Sequence, residues 1–364
     1  MIKYLYIEDD PEHSKAFLNS FNNTNLVNVS LDAPLPFGKQ IKHIKKNIES
    51  IDGLIIDLRL DDNRSKHKGV DYRGTSLAQE IRTKQTEKYF GKEFPIVIIS
   101  TDKKIKKSLK NDYSSHNIFD YRILKDEIKS RIDIPLKLHS IANAYLNISE
   151  NKKSIIKILN FNEIERIDRR AFIRFKANLS VHEFAIYFLN EIIQKSGILI
   201  DEKILAARFG VDISNSPDWE NLKKMIKQTK YKGIYCEAWD RWWMFKINDW
   251  WEKKIKAPKS LASFDANKRV EYIKAKTKLK KIKAANPIKY CKSNRYWTIC
   301  KALKKPLDPL EGFRILEEEP DPWQDISYIS LDAILERKHI SAEIKIHPLE
   351  KERLLATKKL ITAR

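Results

Sequence analysis

Cysteine is scarce in this chain, with three in 364 residues. Cys236, Cys291 and Cys300 are too few to staple a disulfide-built domain, and none belongs to a CxxC pair of the kind a structural zinc site uses. Reduced thiols in a cytoplasmic protein are the expectation. Long apolar runs are missing as well. Stretches such as IVII at 96–99 fall far short of the ~20 residues that cross a bilayer, so no membrane partner is expected. The opening MIKYLYIEDD turns acidic at once, unlike a secretory signal. No GxxxxGKS/T phosphate loop, GxGxxG fingerprint or GxSxG elbow occurs, and no two of the eight histidines stand at HxxxH spacing. An independent enzymatic activity therefore has no motif behind it. Internal repeats and low-complexity linkers are absent too.

What is present is positive charge, 70 Lys/Arg against 49 Asp/Glu. Residues 1–130 hold 23 basic and 19 acidic side chains, whereas 131–364 hold 47 and 30. The densest block, 251–310, has 18 against 4. Such a block attracts polyanions. Nucleic acid is the commonest, although a solvated helix face, a membrane surface or an acidic protein shares the composition. With 42% hydrophobic residues the chain folds, and its length accommodates two or three domains.

The N-terminal third alternates short β-prone runs with helical patterns. The runs are 3–7, 53–58, 95–99 and 121–124; the helical patterns are 12–22, 39–50, 75–88 and 103–110. This alternation predicts an α/β doubly wound parallel sheet over 1–135. In such sheets function gathers at the carboxyl ends of the strands. There stand Glu8 and Asp9, then Asp57, Ser100 and Lys125. Three converging carboxylates repel one another and, as oxygen donors, suit a hard cation such as Mg²⁺. Glu8, Asp9, Asp57 and the backbone carbonyl of Arg59 are its candidate ligands. Asp57 is the candidate nucleophile toward phosphorus, Ser100 a donor to a phosphoryl oxygen and Lys125 a neutralising charge.

These strand-end residues carry a family resemblance. YLYIEDDPEH, DGLIIDLRL, FPIVIIST and ILKDE resemble four strands of response-regulator receiver domains, whose fold is flavodoxin-like. The resemblance covers about a third of the chain. It implies acceptance of a phosphoryl group on Asp57 from a histidine kinase or kinase-like partner. The sequence departs from the family in the long segment 61–74, in Asp126 where Pro is usual, and in Arg122 at the aromatic switch position beside Tyr121.

Residues 136–179 read as a helical connector. From Ser180 to 256 the pattern is winged-helix-like. Ser180 and Glu183 form a capping box, Gly197 closes the first helix, Asp201 caps a second helix ending at Gly210, and 218–230 is a third. Two β-like runs, 233–239 and 241–247, complete a predicted hairpin around Asp240. Lys223, Lys224, Lys227, Lys230 and Lys232 are candidate phosphate contacts, with Asn221 and Gln228 the few candidate base readers. Trp242, Trp243, Trp250 and Trp251 read as core or interface.

Residues 257–364 read as a basic α+β region. It opens with a helix over 265–285 carrying Lys278, Lys280 and Lys281, followed by strands in 295–300 and 312–316 and helices over 327–339 and 347–360. The functional expectation is a cytoplasmic signalling protein whose receiver controls a basic output that contacts nucleic acid. The alternative is a docking subunit of a larger, possibly defence-related assembly that does not cycle phosphate.

Overall fold

The computed structural model describes the chain except residues 62–69, 102–116, 129, 152–153, 174–178 and 363–364. The expected helix over 103–110 and most of the segment 61–74 lie outside the described residues. The chain forms two compact units. One comprises Met1–Asn162, Phe175–Asn190 and Lys232–Ala238; the other comprises Glu163–Arg174, Glu191–Tyr231 and Trp239–Arg364. Contacts thus divide the stretch 180–256 between the two.

The first unit is built on five strands, β1 (Ile2–Ile7), β2 (Val27–Asp32), β3 (Gly53–Asp57), β4 (Ile96–Ser100) and β5 (Tyr121–Leu124). They lie in the order β2-β1-β3-β4-β5 and every pairing is parallel. This is the flavodoxin-like order of the doubly wound fold. Side chains alternate across the sheet. Leu5, Ile7, Leu54, Ile56, Ile96 and Ile98 enter one core with Ile41, Ile44, Leu77 and Ile81. Tyr4, Tyr6, Ile55, Val97 and Ile99 enter the other with Phe21, Leu138 and Ala142. The covering helices are α1 (Pro11–Asn22), α2 (Phe37–Lys46), α3 (Gly74–Thr86) and α4 (Ile134–Asn151). Both faces are covered, which is why the central strands are continuous apolar runs. Strand β2 was not foreseen: Asn28 and Ser30 interrupt its apolar residues as the exposed half of an alternation.

Beyond α4, the unit adds α5 (Ile155–Leu159) and α6 (Val181–Tyr187). The expected capping box is present, with the Ser180 side chain accepting from the Glu183 amide and the Glu183 side chain accepting from the Ser180 amide. Below it lies a buried polar network. Asp120 pairs with Arg82 at 2.6 Å and accepts from Ile96 N at 2.8 Å and from the Tyr145 hydroxyl at 2.6 Å. Tyr145 also meets His182 Nδ1 at 2.8 Å.

In the second unit, β6 (Leu199–Ile200) precedes α7 (Glu202–Phe209) and α8 (Trp219–Met225). Asp201 caps α7 through the Ile204 amide, and Gly210 closes it in the left-handed region. The expected third helix is shorter than 218–230, since a 3-10 turn takes Lys227–Thr229. Gly197 is not a helix terminus. The helical stretch ends at Ile193, and Gly197 bridges Gln324.

The predicted hairpin does not form. Residues 233–239 are turns and bends. Only Trp242–Trp243 (β7) is extended, and it pairs antiparallel with β6. Met244–Trp250 is a helix, α9. Met244, Ile247 and Trp250 recur at helical spacing and are buried there, so period 3.6 overrides the β preference of the aromatics. The four tryptophans 242, 243, 250 and 251 are core residues.

Helix α10 spans Ala266–Thr277, capped by Asp265, and ends at Lys278 in the left-handed region, not at 285. Lys280 and Lys281 therefore lie beyond the helix. Four two-residue strands follow: β8 (Thr298–Ile299) pairs with β9 (Pro306–Leu307), and β10 (Phe313–Arg314) with β11 (Tyr328–Ile329). The chain closes with α11 (Leu331–Leu335), α12 (Lys338–Ser341) and α13 (Lys351–Thr362). Among the described residues, no helix is long and apolar enough to cross a membrane.

Candidate functional site

Strand register brings the strand-end residues together. Ile7 is level with Ile56, Asp57 with Ile99, and Ser100 with Leu124. Glu8, Asp57, Ser100 and Lys125 therefore leave the sheet at one edge, where parallel strands deliver their carboxyl ends. The Lys125 ammonium lies 2.7 Å from Glu8 Oε2 and 2.8 Å from Asp57 Oδ1. The Arg59 amide donates to Asp57 Oδ2 at 2.7 Å, fixing that carboxylate from the other side. Tyr6 donates its hydroxyl to Glu8. Tyr6 stands two residues before Glu8 on β1, so the two share a strand face, and that spacing is the signal by which it was findable.

Glycine is required at the start of α3. A Cβ on Gly74 would fall 2.1 Å from the Asp57 carbonyl oxygen. The Gly74 amide also donates to Leu58 O at 3.1 Å. The helix thus abuts the backbone of the candidate acceptor directly.

The electrostatics follow from burial and crowding. Burial raises the Asp57 pKa, the charge of Glu8 adds to it, and Lys125 with the Arg59 amide offsets only part. Burial also raises Glu8, but a hydrogen bond from Asp9 and the nearby Lys125 outweigh it and hold Glu8 below the usual range. Asp9 is pushed up to about 8, by burial first and then by Glu8. Burial lowers Lys125, and Asp57 and Glu8 overcome that and raise it. One carboxyl of the three thus keeps a proton near neutrality, and a single ammonium serves the other two.

Whether a hard cation fits can be judged from the donors. One oxygen from each of Glu8, Asp9 and Asp57 lies within 4.8 Å of the others. Opposite ligands of an octahedral Mg²⁺ stand about 4.2 Å apart, so small side-chain shifts would bring all three oxygens onto one ion. Asp9 Oδ2 is buried without a hydrogen-bond partner among the described residues. An orphan buried carboxylate oxygen in an all-oxygen set fits a divalent cation.

Arg122, where the resemblance expects an aromatic, is half-buried on β5 beside Ile98. Tyr121 is level with Val97; its hydroxyl accepts from Arg131 at 2.9 Å and its ring lies under Lys137.

The candidate phosphate-contacting lysines differ in how far their charges are answered. Lys223 is engaged by Glu202 at 2.6 Å and Glu220 at 2.7 Å, and Lys230 by Asp240 at 2.5 Å. Their charges are largely answered within the chain. Lys232 belongs to the first unit. Lys224, Lys227, Lys278, Lys280 and Lys281 are exposed.

No protein-family model matches the chain, and no curated protein matches it. Among solved structures it matches the RcsB response regulator of Salmonella typhimurium, described for conformational dynamism in DNA interaction. Identity is 14%, the match covers 50% of this chain and 98% of that one, and the TM-score is 0.25. The fold rests on the strand order itself.

Proposed function

We propose that the first unit is a receiver-like phosphoryl acceptor whose acceptor is Asp57, and that it regulates a basic output in the remainder of the chain. The observation that carries this is the convergence of Glu8, Asp9, Asp57, Ser100 and Lys125 at the carboxyl edge of one parallel sheet. Asp57 Oδ1 attacks the phosphorus of the partner's phosphohistidine, the P–N bond breaks and the imidazole leaves with its electron pair, while Oδ2 stays held by the Arg59 amide. Lys125 moves from the carboxylate pair to a phosphoryl oxygen, and the Ser100 hydroxyl donates to another. Glu8, Asp9 and Asp57, with the Arg59 carbonyl, would hold Mg²⁺, which supplies neutralisation of the phosphoryl charge. The donor partner is a histidine kinase or kinase-like protein.

A second reading is a docking unit that does not cycle phosphate. It is favoured by Arg122 at the position where the family carries its coupling aromatic. Intact mass after incubation with Mg²⁺ and acetyl phosphate separates the two. One phosphoryl group on the wild type and none on Asp57→Asn supports the acceptor. No gain on the wild type, with acetyl phosphate or with cognate kinase, leaves the docking unit.

A further inference from the structure

Two groups of lysines some sixty residues apart in sequence form one surface in the second unit, through a segment that the sequence placed in a helix. After α10 ends, residues 281–285 run along the loop before α8. Lys281 N donates to Asp218 Oδ2 at 2.8 Å, and Lys283 N donates to Ser216 Oγ at 2.8 Å. Asp212 N donates to Lys283 O and Ala285 N to Gly210 O, each at 2.9 Å. Ile282 is fully buried in the same core as Trp219, Leu222 and Ile226 of the α8 region. With Ile282 pinned inward, Lys280, Lys281 and Lys283 remain exposed.

The other carboxylate oxygen of Asp218 accepts from Asn221 Nδ2 at 3.2 Å. One aspartate therefore ties the lysine segment to the exposed side of α8, which carries Asn221, Lys224 and, one turn on, Lys227 and Gln228. Lys224, Lys227, Lys278, Lys280, Lys281 and Lys283 have no ion-pair partner among the described residues. The acidic neighbours are already engaged. Glu220 holds Lys223, Asp212 binds Asn215, and Asp218 makes the bonds just given.

We infer that this surface binds duplex DNA, with α8 at the major groove and the 278–283 segment on the flanking phosphates. Asn221 on α8 and Gln228 on the 3-10 turn that follows lie exposed with the unpaired Lys224 and Lys227, a set that suits the B-form major groove, about 12 Å wide, which admits a helix. The A-form groove of RNA is too narrow for a helix. The inference rests on the output half of the function proposed above and not on phosphoryl transfer.

The test is anisotropy of a labelled DNA duplex with the full chain across a salt series. If all six lysines meet phosphates, log K falls against log salt with a slope of about −5. Changing Lys224, Lys227, Lys280 and Lys281 to Gln reduces that slope to about −2 and weakens binding by at least about tenfold. Changing Lys254, Lys338, Lys345 and Lys351 to Gln removes equal charge elsewhere in the unit and is expected to leave the slope near the wild-type value. All eight are exposed, and thermal melts verify that both variants fold. Equal losses in the two variants overturn the surface, and equal or tighter binding of an RNA duplex overturns the groove assignment. Asp57→Asn binds like the unphosphorylated wild type, so failure of the acceptor reading leaves this measurement intact.

Discussion

Lys125 Nζ stands 2.7 Å from Glu8 Oε2, closer than its 2.8 Å to the candidate acceptor Asp57. The lysine thus spans two carboxylates and supplies the positive charge that a bound cation would otherwise provide. Removing one partner from a largely buried pair leaves uncompensated charge. Lys125→Met is expected to lower stability by roughly 2–3 kcal/mol in metal-free buffer. Added Mg²⁺ should raise its Tm more than that of the wild type, since the ion then answers carboxylates nothing else does. An identical Mg²⁺ response in both proteins would argue against the shared-carboxylate picture.

Asp120 gives a pH prediction. Burial raises its pKa, but Arg82 and His182 outweigh that and bring it from 3.8 to about 2. A depressed folded-state pKa contributes stability that is present above the unfolded value near 4 and is lost as pH falls through about 2. The shift corresponds to about 2 kcal/mol. Asp120→Asn should be markedly less stable than the wild type at pH 6, and the gap should narrow between pH 4 and pH 2. Urea midpoints measured across that range check it, and a gap independent of pH contradicts the assignment.

Gly74 and Gly38 form a matched pair. A methyl on Gly74 meets the Asp57 carbonyl at 2.1 Å, whereas one on Gly38 meets nothing within 4 Å. Backbone cannot yield as a side-chain tip does, so Gly74→Ala is expected to cost roughly 2–3 kcal/mol and to reduce labelling of Asp57. Gly38→Ala, inside α2, should stabilise by about 0.5 kcal/mol. Chemical denaturation of both variants reads this directly.

The start of α6 is held twice. Glu93 accepts from Val181 N at 3.0 Å and His182 N at 2.9 Å, and Ser180 accepts from the Glu183 amide at 3.1 Å. Ser180→Ala should cost about 1 kcal/mol, as losing an N-cap does. Glu93→Ala should speed hydrogen exchange at Val181 and His182 before it affects the β-sheet amides. Uniform acceleration across the unit would mean that Glu93 acts on global stability instead.

Along the chain, local pattern was enough for the central strands and for their polar ends, because fully buried parallel strands must be apolar throughout and their chemistry must sit where they stop. Glu8, Asp57 and Ser100 were legible for that reason, while Lys125 follows the weaker, part-buried edge run Tyr121–Leu124. So were the caps at Ser180, Asp201 and Gly210, whose bonds close within a few residues. Strand β2 escaped because an edge strand with Asn28 and Ser30 outward lacks the apolar density of its neighbours. The pair Trp242–Trp243 was taken for part of a hairpin because its aromatics favour strands, while its true partner, Leu199–Ile200, lies over forty residues earlier. Tertiary structure alone assembled the Arg82, Asp120, Tyr145 and His182 network, since burial of charge is satisfied by whichever partner the fold brings near. It alone also ended α10 at Thr277, where burial of Ile282 against Trp219 and Leu222 outweighs continued helix in a lysine-rich segment.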